Sequence, residues 1–250
     1  MQPITLSKRM QKIVEHIPKC ESLADIGTDH AFIPIHTVQT KRALHAIATD
    51  LREGPLRKAR ENVNRHGLKE LIELRLGNGF QPIRPGEVDV IVSAGIGGHV
   101  HTQMLDESPK VTQSVSTIIF QPMNAGHLLR SRLDELHFTL SSEALVLDDD
   151  RIYEIIIATP NAHRDPAYDP YRDDPSRLML AYTYGPLLLR DPDELFHMRL
   201  EREINKLRAV QHSVQTSDNL EARERFDTLQ AEIEQLLALQ VETRGGKPLD

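Results

Sequence analysis

The sequence predicts an α/β fold, a doubly wound and mostly parallel sheet with an antiparallel edge hairpin, followed by a C-terminal α-helical hairpin. Three observations carry this expectation. Short apolar runs bounded by turn residues alternate with longer stretches of helical spacing as far as Pro160, the pattern of repeated βαβ units. Two more strand-like runs flank the acidic turn Asp148-Asp149-Asp150, which suits a hairpin on the edge of a mixed sheet. Beyond Gly185-Pro186 the apolar residues fall into a heptad rhythm.

Taken in order, Leu6, Met10, Ile13, Val14 and Ile17 share one helical stripe, with Thr5 or Ser7 as N-cap and an end near Pro18. Residues 22–27, 43–50, 71–76, 88–95 and 115–122 read as buried strands. Residues 31–40, 54–65, 98–105 and 124–136 carry helical spacing and are long enough for crossovers. Residues 138–147 and 151–158 form the hairpin. The following NAHRDPAYDPYRDDPSR, residues 161–177, holds three prolines and many charges, and reads as a linker or loosely ordered segment. Leu200, Ile204, Leu207, Val210 and Val214 then repeat at heptad spacing, as do Ala222, Phe226, Leu229, Ile233 and Leu236. QTSDN between them is expected to turn, with Ser217 or Asp218 capping the second arm. The expected domains are a sheet domain over residues 1–160, and a linker with helical hairpin over residues 161–250.

Composition narrows the function. Of 250 residues 39% are hydrophobic and 27% charged, and Pro plus Gly total 28, which excludes collagen-like, low-complexity and wholly disordered chains. No apolar run approaches the roughly 18 residues of a membrane helix, and the N-terminus lacks the apolar core of a secretion signal. A cytoplasmic protein without membrane attachment is expected. Cys20 is the sole cysteine, so neither an internal disulfide nor a thiolate metal cage can form. His99 and His101 stand two apart and share no helix face, so no metal is expected. No GxSxG elbow is present. Residues 1–160 carry 18 basic and 20 acidic side chains, and residues 161–250 carry 12 and 17. The surplus acid therefore lies mostly in the tail.

Five polar clusters fall at predicted carboxyl ends of strands, where doubly wound sheets bind ligands. DIGTDHAFIP begins at Asp25, where strand one meets the next helix. Gly27 lets a ligand approach the backbone, yet Asp29 and His30 stand where a dinucleotide fingerprint has glycines. Two carboxylates repel a pyrophosphate and suit a cationic ligand, such as S-adenosyl-L-methionine. An ordinary helix cap is the alternative that the motif alone leaves open. Asp50 ends strand two, as a ribose acid or a capping aspartate. GNGF follows strand three, where Asn78 can pair with an adenine edge and Gly79 allows a tight turn. SAGIGGH, with Ala94 and Gly95, follows strand four and should line the cleft. QPMN follows strand five and presents the amides of Gln121 and Asn124 beside a proline. Lys8, Arg9 and Lys12 lie close together near the same edge and suit phosphate contact, whereas Arg52, Arg57, Lys58, Arg60 and Arg65 read as a solvated helix face.

LSKRM, LADIGTDHAFIPI, GNGF, AGIGG, QPMN and RIYEIIIA, in that order and followed by a GP element and a helical tail, resemble the bacterial tRNA (adenine(22)-N(1))-methyltransferase family. The resemblance covers residues 5–160 well and the tail loosely. It implies a Rossmann-like class I methyltransferase sheet, a C-terminal coiled coil, S-adenosyl-L-methionine as donor and an adenine of the tRNA D-arm as substrate. The donor residues it implies are Asp25, Gly27, Asp29, His30, Asp50, Asn78, Gly79, Ala94 and Gly95. Gly97 and Gly98 match the glycine-rich segment after strand four, with Ile96 where methionine is expected, and QPMN stands where QPNx is commoner. For that reaction Asp29, Gln121 and Asn124 are the candidate catalytic residues and Lys8, Arg9, Arg151 and Tyr153 the candidate RNA contacts, with Gln121, Asn124 and Tyr153 expected to hold or stack the flipped base. A monomer is expected. The same cofactor motifs suit a class I methyltransferase of another RNA, a protein or a small molecule, and the heptads alone suit a noncatalytic interaction protein. A nicotinamide enzyme would share the sheet but not the missing glycines.

Overall fold

The computed structural model describes residues 4–214 and 220–245. It opens with α1 (Lys8–His16), where the Ser7 side chain accepts from the Met10 N–H, so Ser7 rather than Thr5 is the cap. Strands β1 (Cys20–Ile26), β2 (Ala43–Asp50), β3 (Ile72–Leu76), β4 (Val90–Ile96) and β5 (Thr117–Pro122) follow. They are joined by α2 (Phe32–Gln39), α3 (Glu53–Arg65), and the pair α4 (Gly98–Glu107) and α5 (Pro109–Thr112). Next come α6 (Gly126–Glu135) and the hairpin β6 (Phe138–Asp148) and β7 (Arg151–Pro160). Only turns connect β3 to β4, so that crossover has no helix.

The seven strands lie in the order β3-β2-β1-β4-β5-β7-β6. β1 to β5 pair in parallel, and β7 enters antiparallel between β5 and β6. The central strands are apolar on both faces, with Leu23, Ala24, Val90, Ile91, Val92, Ile118, Ile119 and Phe120 all buried, as strands covered by helices on both sides require. α1, α2 and α3 share one apolar cluster with the sheet through Ile13, Val14, Ile17, Ile35, Val38, Ala59 and Val63. In α3 the buried positions Leu56, Ala59 and Val63 follow helical spacing, which leaves Arg57, Lys58 and Arg60 exposed.

The chain divides into two compact units, Met1–Gly185 and Pro186–Asp250. This corrects the reading of residues 161–177 as a linker. Asp165 caps a 3-10 turn, Pro166–Tyr171, and Asp174 caps α7 (Pro175–Tyr184), each with a proline in the first turn. Tyr168 and Tyr171 are buried, and Arg172 pairs with Asp134 of α6 through two hydrogen bonds of 2.8 and 2.7 Å. Burial and these tethers make the segment part of the first unit.

The second unit holds α8 (Pro186–Arg190), α9 (Glu194–Val214) and α10 (Leu220–Arg244). α9 packs against α10, with Leu200, Ile204, Leu229, Ile233 and Leu236 buried and Val210 exposed. Gln211 donates to Gln230 across the pair at 2.8 Å. The expected QTSDN turn, with its Ser217 or Asp218 cap, and the side chain of Ala222 lie outside the described residues.

Candidate functional site

Parallel register levels the strand ends: Ile26 lies opposite both Thr49 and Ser93, and Asp50 opposite Leu76. The turns after β1, β2, β3 and β4 therefore open onto one cleft. It has two lobes, of about 340 and 270 Å³, which share Gly27, Asp50, Arg52, Ala94 and Gly95. Asp25, Asp29 and His30 line the first lobe, beside Arg9, Met10 and Ile13 of α1. Asn78 and Gly79 line the second, with Leu51, Val100 and Met104. All nine residues expected to hold the donor are thus brought together.

Local chemistry shapes the first lobe. Asp25 is 6% exposed, and burial lifts its carboxyl to about 6, against a hydrogen bond from Thr28 and with a further push from Asp50. Gly27 has φ +76°, and a side chain there would meet Ile96 at 3.0 Å, so the strand end turns only with glycine and leaves its backbone open. The Thr28 hydroxyl accepts from the Ala31 N–H at 3.1 Å in the turn that leads into α2. Asp29 is exposed, within 3.2 Å of His30 and 4.0 Å of Lys58, and His30 stacks on Phe32 with ring centroids 5.0 Å apart. Asp50 accepts from the Arg52 N–H at 2.8 Å.

At the end of β4 the register shifts between Ala94 and Ile96. Gly95 occupies this bulge with φ +76°, and bulges of this kind re-aim a strand beside binding sites. In the second lobe the Thr49 hydroxyl is buried with no hydrogen-bond partner among the described residues.

The remaining predicted residues gather on the β5 side. Gln121 is fully buried; its Oε1 accepts from Arg9 Nη1 at 2.6 Å, and its Nε2 donates to the Pro122 carbonyl at 2.9 Å. Arg9 lies 5.1 Å over the Tyr153 ring, and its backbone N–H donates to Asp148 Oδ2 at 3.1 Å. Asn124 is exposed and lies beside Gly97, whose added Cβ would sit 3.1 Å from Asn124 Oδ1. β7 runs antiparallel to β5, so the hairpin tip with Arg151 projects at the carboxyl edge. Lys8 and Arg151 are exposed there. Asp29 faces His30 and Lys58 and so is grouped with the donor cavity, apart from the Gln121 and Asn124 cluster.

Sequence reasoning missed Thr28, Thr49, Arg52 and Met104 as parts of the site. Thr28 and Thr49 adjoin acids already singled out, Asp29 and Asp50, and that adjacency was the available signal. His101 is buried on Ser93 Oγ at 3.0 Å and edge-on to Phe120, and burial pushes it down to about 4, so it stays neutral. No cluster of three His, Cys, Asp or Glu among the described residues is placed to hold a metal ion. Burial, then Asp89, raises the Cys20 thiol to about 11, which leaves it unreactive. No described helix is long and apolar enough to cross a membrane.

The cleft fits S-adenosyl-L-methionine by its chemistry. Three carboxylates suit two positive charges, and an apolar lobe with one amide and one unpaired hydroxyl suits a planar base.

Comparison with known proteins points the same way. Residues 6–156 match the family described as a methyltransferase domain. The tRNA (adenine(22)-N(1))-methyltransferase of Bacillus subtilis (strain 168) is 30% identical over 238 residues, 94% of this chain and 97% of that protein. The crystal structure of the B. subtilis M1A22 tRNA methyltransferase TrmK superposes with a TM-score of 0.81 at 29% identity, over 94% of this chain and 99% of that one. A Streptococcus pneumoniae chain solved in complex with S-adenosyl-L-methionine gives a TM-score of 0.79 at 26% identity, over 94% and 100%. Coverage of 94% takes in most of both compact units, and with the domain match over residues 6–156 it settles the family: the chain is a member of the tRNA (adenine(22)-N(1))-methyltransferase family.

Proposed function

We propose that this protein methylates the N1 ring nitrogen of adenine 22 in the D-arm of tRNA, with S-adenosyl-L-methionine as donor. The observation that carries the reading is the convergence of all nine donor residues on one cleft, in a chain of this family. When bound, the donor supplies a methyl group on a positively charged sulfur, open to direct attack by a nitrogen lone pair.

The chain's own groups do the rest. Asp25 and Asp29 complement the donor's positive charges, and His30 on Phe32 forms the rim beside them. Asp50 takes the ribose hydroxyls, while Asn78 and Gly79 meet the adenine edge. Ala94 and Gly95 supply backbone close to the reacting centre. Adenine N1 needs no base to become nucleophilic, so the enzyme's contribution is alignment and exclusion of water. The target base must leave the tRNA fold to reach the cleft. Asn124 and Tyr153 hold it there, Gln121 shapes the wall behind it, and Lys8 and Arg151 meet neighbouring phosphates. The methylated base is cationic, and Asp29 is the exposed carboxylate available to stabilise that charge or to take the exocyclic proton. We propose further that the protein works as a monomer in the cytoplasm.

The test is incubation with labelled donor and unmodified tRNA transcripts, digestion to nucleosides and mass spectrometry. 1-Methyladenosine mapped to position 22 is the expected result. Donor binding without methylated tRNA would overturn the substrate and leave the donor site standing. A salt-insensitive interaction with tRNA would favour a methyltransferase of some other substrate.

A further inference from the structure

We propose that Arg9 is a positioning residue of the methyl-transfer site, holding the Gln121 amide and the Tyr153 ring rather than an RNA phosphate. The inference rests on the reading of the protein as an adenine methyltransferase. It starts from where the guanidinium points.

Arg9 Nη1 donates to Gln121 Oε1 at 2.6 Å and lies 3.8 Å from Met123 Sδ. The same guanidinium is 5.1 Å over the Tyr153 ring, within cation–π range. It lines the donor lobe with Asp25 and Gly95, and a Cβ added at Gly95 would come within 3.6 Å of Nη1. A phosphate ligand would need these donors turned to solvent. Here Nη1 is turned into the wall of the cleft, although Lys8, one residue earlier, is exposed.

The bond also settles the orientation of Gln121. Its Oε1 faces a guanidinium and its Nε2 donates to the Pro122 carbonyl at 2.9 Å. Exchanging the amide ends would set donor against donor and acceptor against acceptor. Since Gln121 is fully buried, the amide cannot turn to water for relief. Both of its polar ends are engaged within the protein, so Gln121 acts on the base through the loop it anchors, at Met123 and Asn124. Arg9 is held in turn by Asp148 Oδ2 on its backbone N–H. A single planar cation therefore ties α1 to the end of β5 and to β7. Lysine cannot both donate to the amide and lie flat over the ring.

Arg9→Ala, Arg9→Lys and Gln121→Met enzymes, with the wild type, would be assayed on tRNA transcripts at several salt concentrations, with donor binding by calorimetry as the check of folding. Positioning predicts a fall in kcat of about 100-fold for R9A and at least about tenfold for R9K, because misplacement of an aligned reactant costs on that scale. KM for tRNA and the salt slope of tRNA binding stay at wild-type values. Adding R9K to Q121M should cost no more than about twofold beyond Q121M alone, since the two act as one unit. Wild-type kcat in R9K overturns the proposal. So does a raised KM for tRNA in R9A with unchanged kcat and a salt slope shallower by about 0.7–0.9, the mark of a lost phosphate contact. Additive losses in R9K and Q121M overturn it even if R9A fails to bind donor. A wild-type protein that binds donor and methylates no tRNA would instead sink the parent reading, which keeps the two failures apart.

Discussion

Asp25 links stability to ligand binding. Burial raises its carboxyl from 3.8 to about 6, so the folded protein keeps a proton that the unfolded chain gives up. The associated stability is complete below about pH 4 and is lost as pH rises through about 6, some 3 kcal/mol in all at 1.36 kcal/mol per unit. Asp25→Asn should remove this loss. Thermal melts of the ligand-free variant should match wild type near pH 4 and exceed it near pH 8. Equal melting at both values would show that Asp25 ionises freely in the fold. The ionised acid complements the donor's cation, so donor affinity in the wild type should weaken about tenfold per pH unit below about 6, as calorimetry across pH 5–8 would register. At this scale the acids and glycines of the cleft were legible, because each sits at the end of an apolar run whose direction the alternation reveals. The aim of Arg9 was not. It depends on β7 lying beside β5, a neighbour more than 140 residues away in sequence.

Among elements, the seam between α6 and the hairpin is held by charge within the core. Arg130 is fully buried, 2.6 Å from Glu143 and 2.8 Å from Glu154, and it also donates to the Tyr182 carbonyl at 3.2 Å. Burial by itself would lower its pKa, and Glu154 and Glu143 more than offset that. Arg130→Met removes a buried cation that Glu143 and Glu154 share and should destabilise the protein by about 3–5 kcal/mol in urea unfolding; a loss under 1 kcal/mol would mean that water reaches the seam. The start of α4 is as demanding. A methyl group at Gly98 would collide with the Ala125 carbonyl oxygen, a backbone atom that cannot swing aside, so Gly98→Ala should yield protein with lowered melting temperature and impaired methylation. Gly54→Ala, which meets nothing within 4 Å, is the matched control. Strands were readable because buried β runs are short, apolar and bounded by turns. The segment after Pro160 was misread because its prolines suggested extended chain, whereas Asp165-Pro166 and Asp174-Pro175 are helix starts. The buried Tyr168 and Tyr171 stand three apart, the period of the 3-10 turn, but a single pair is too short a run to announce it.

For the whole molecule, a formal charge of -7 opposes binding to a polyanion, so tRNA affinity must come from a few placed cations. Lys8→Ala and Arg151→Ala should each make the slope of log affinity against log salt shallower by about 0.7–0.9, with kcat at saturation unchanged. An unaltered slope would move the RNA path elsewhere. The α/β class, the edge hairpin and the helical tail followed from the alternation of patterns, but the place of β7 inside the sheet did not, since pairing partners leave no local trace. That placement governs when the site is completed. β7 is the last strand of the sheet in sequence, and the acidic tip before it supplies Asp148 to the backbone of α1, 139 residues upstream. On the ribosome α1 emerges early and must wait for the hairpin. The wall that carries Arg9, Gln121 and Tyr153 closes only after residue 153 has left the exit tunnel, so a nascent chain stalled before the hairpin has every strand of the donor cleft and no finished acceptor side.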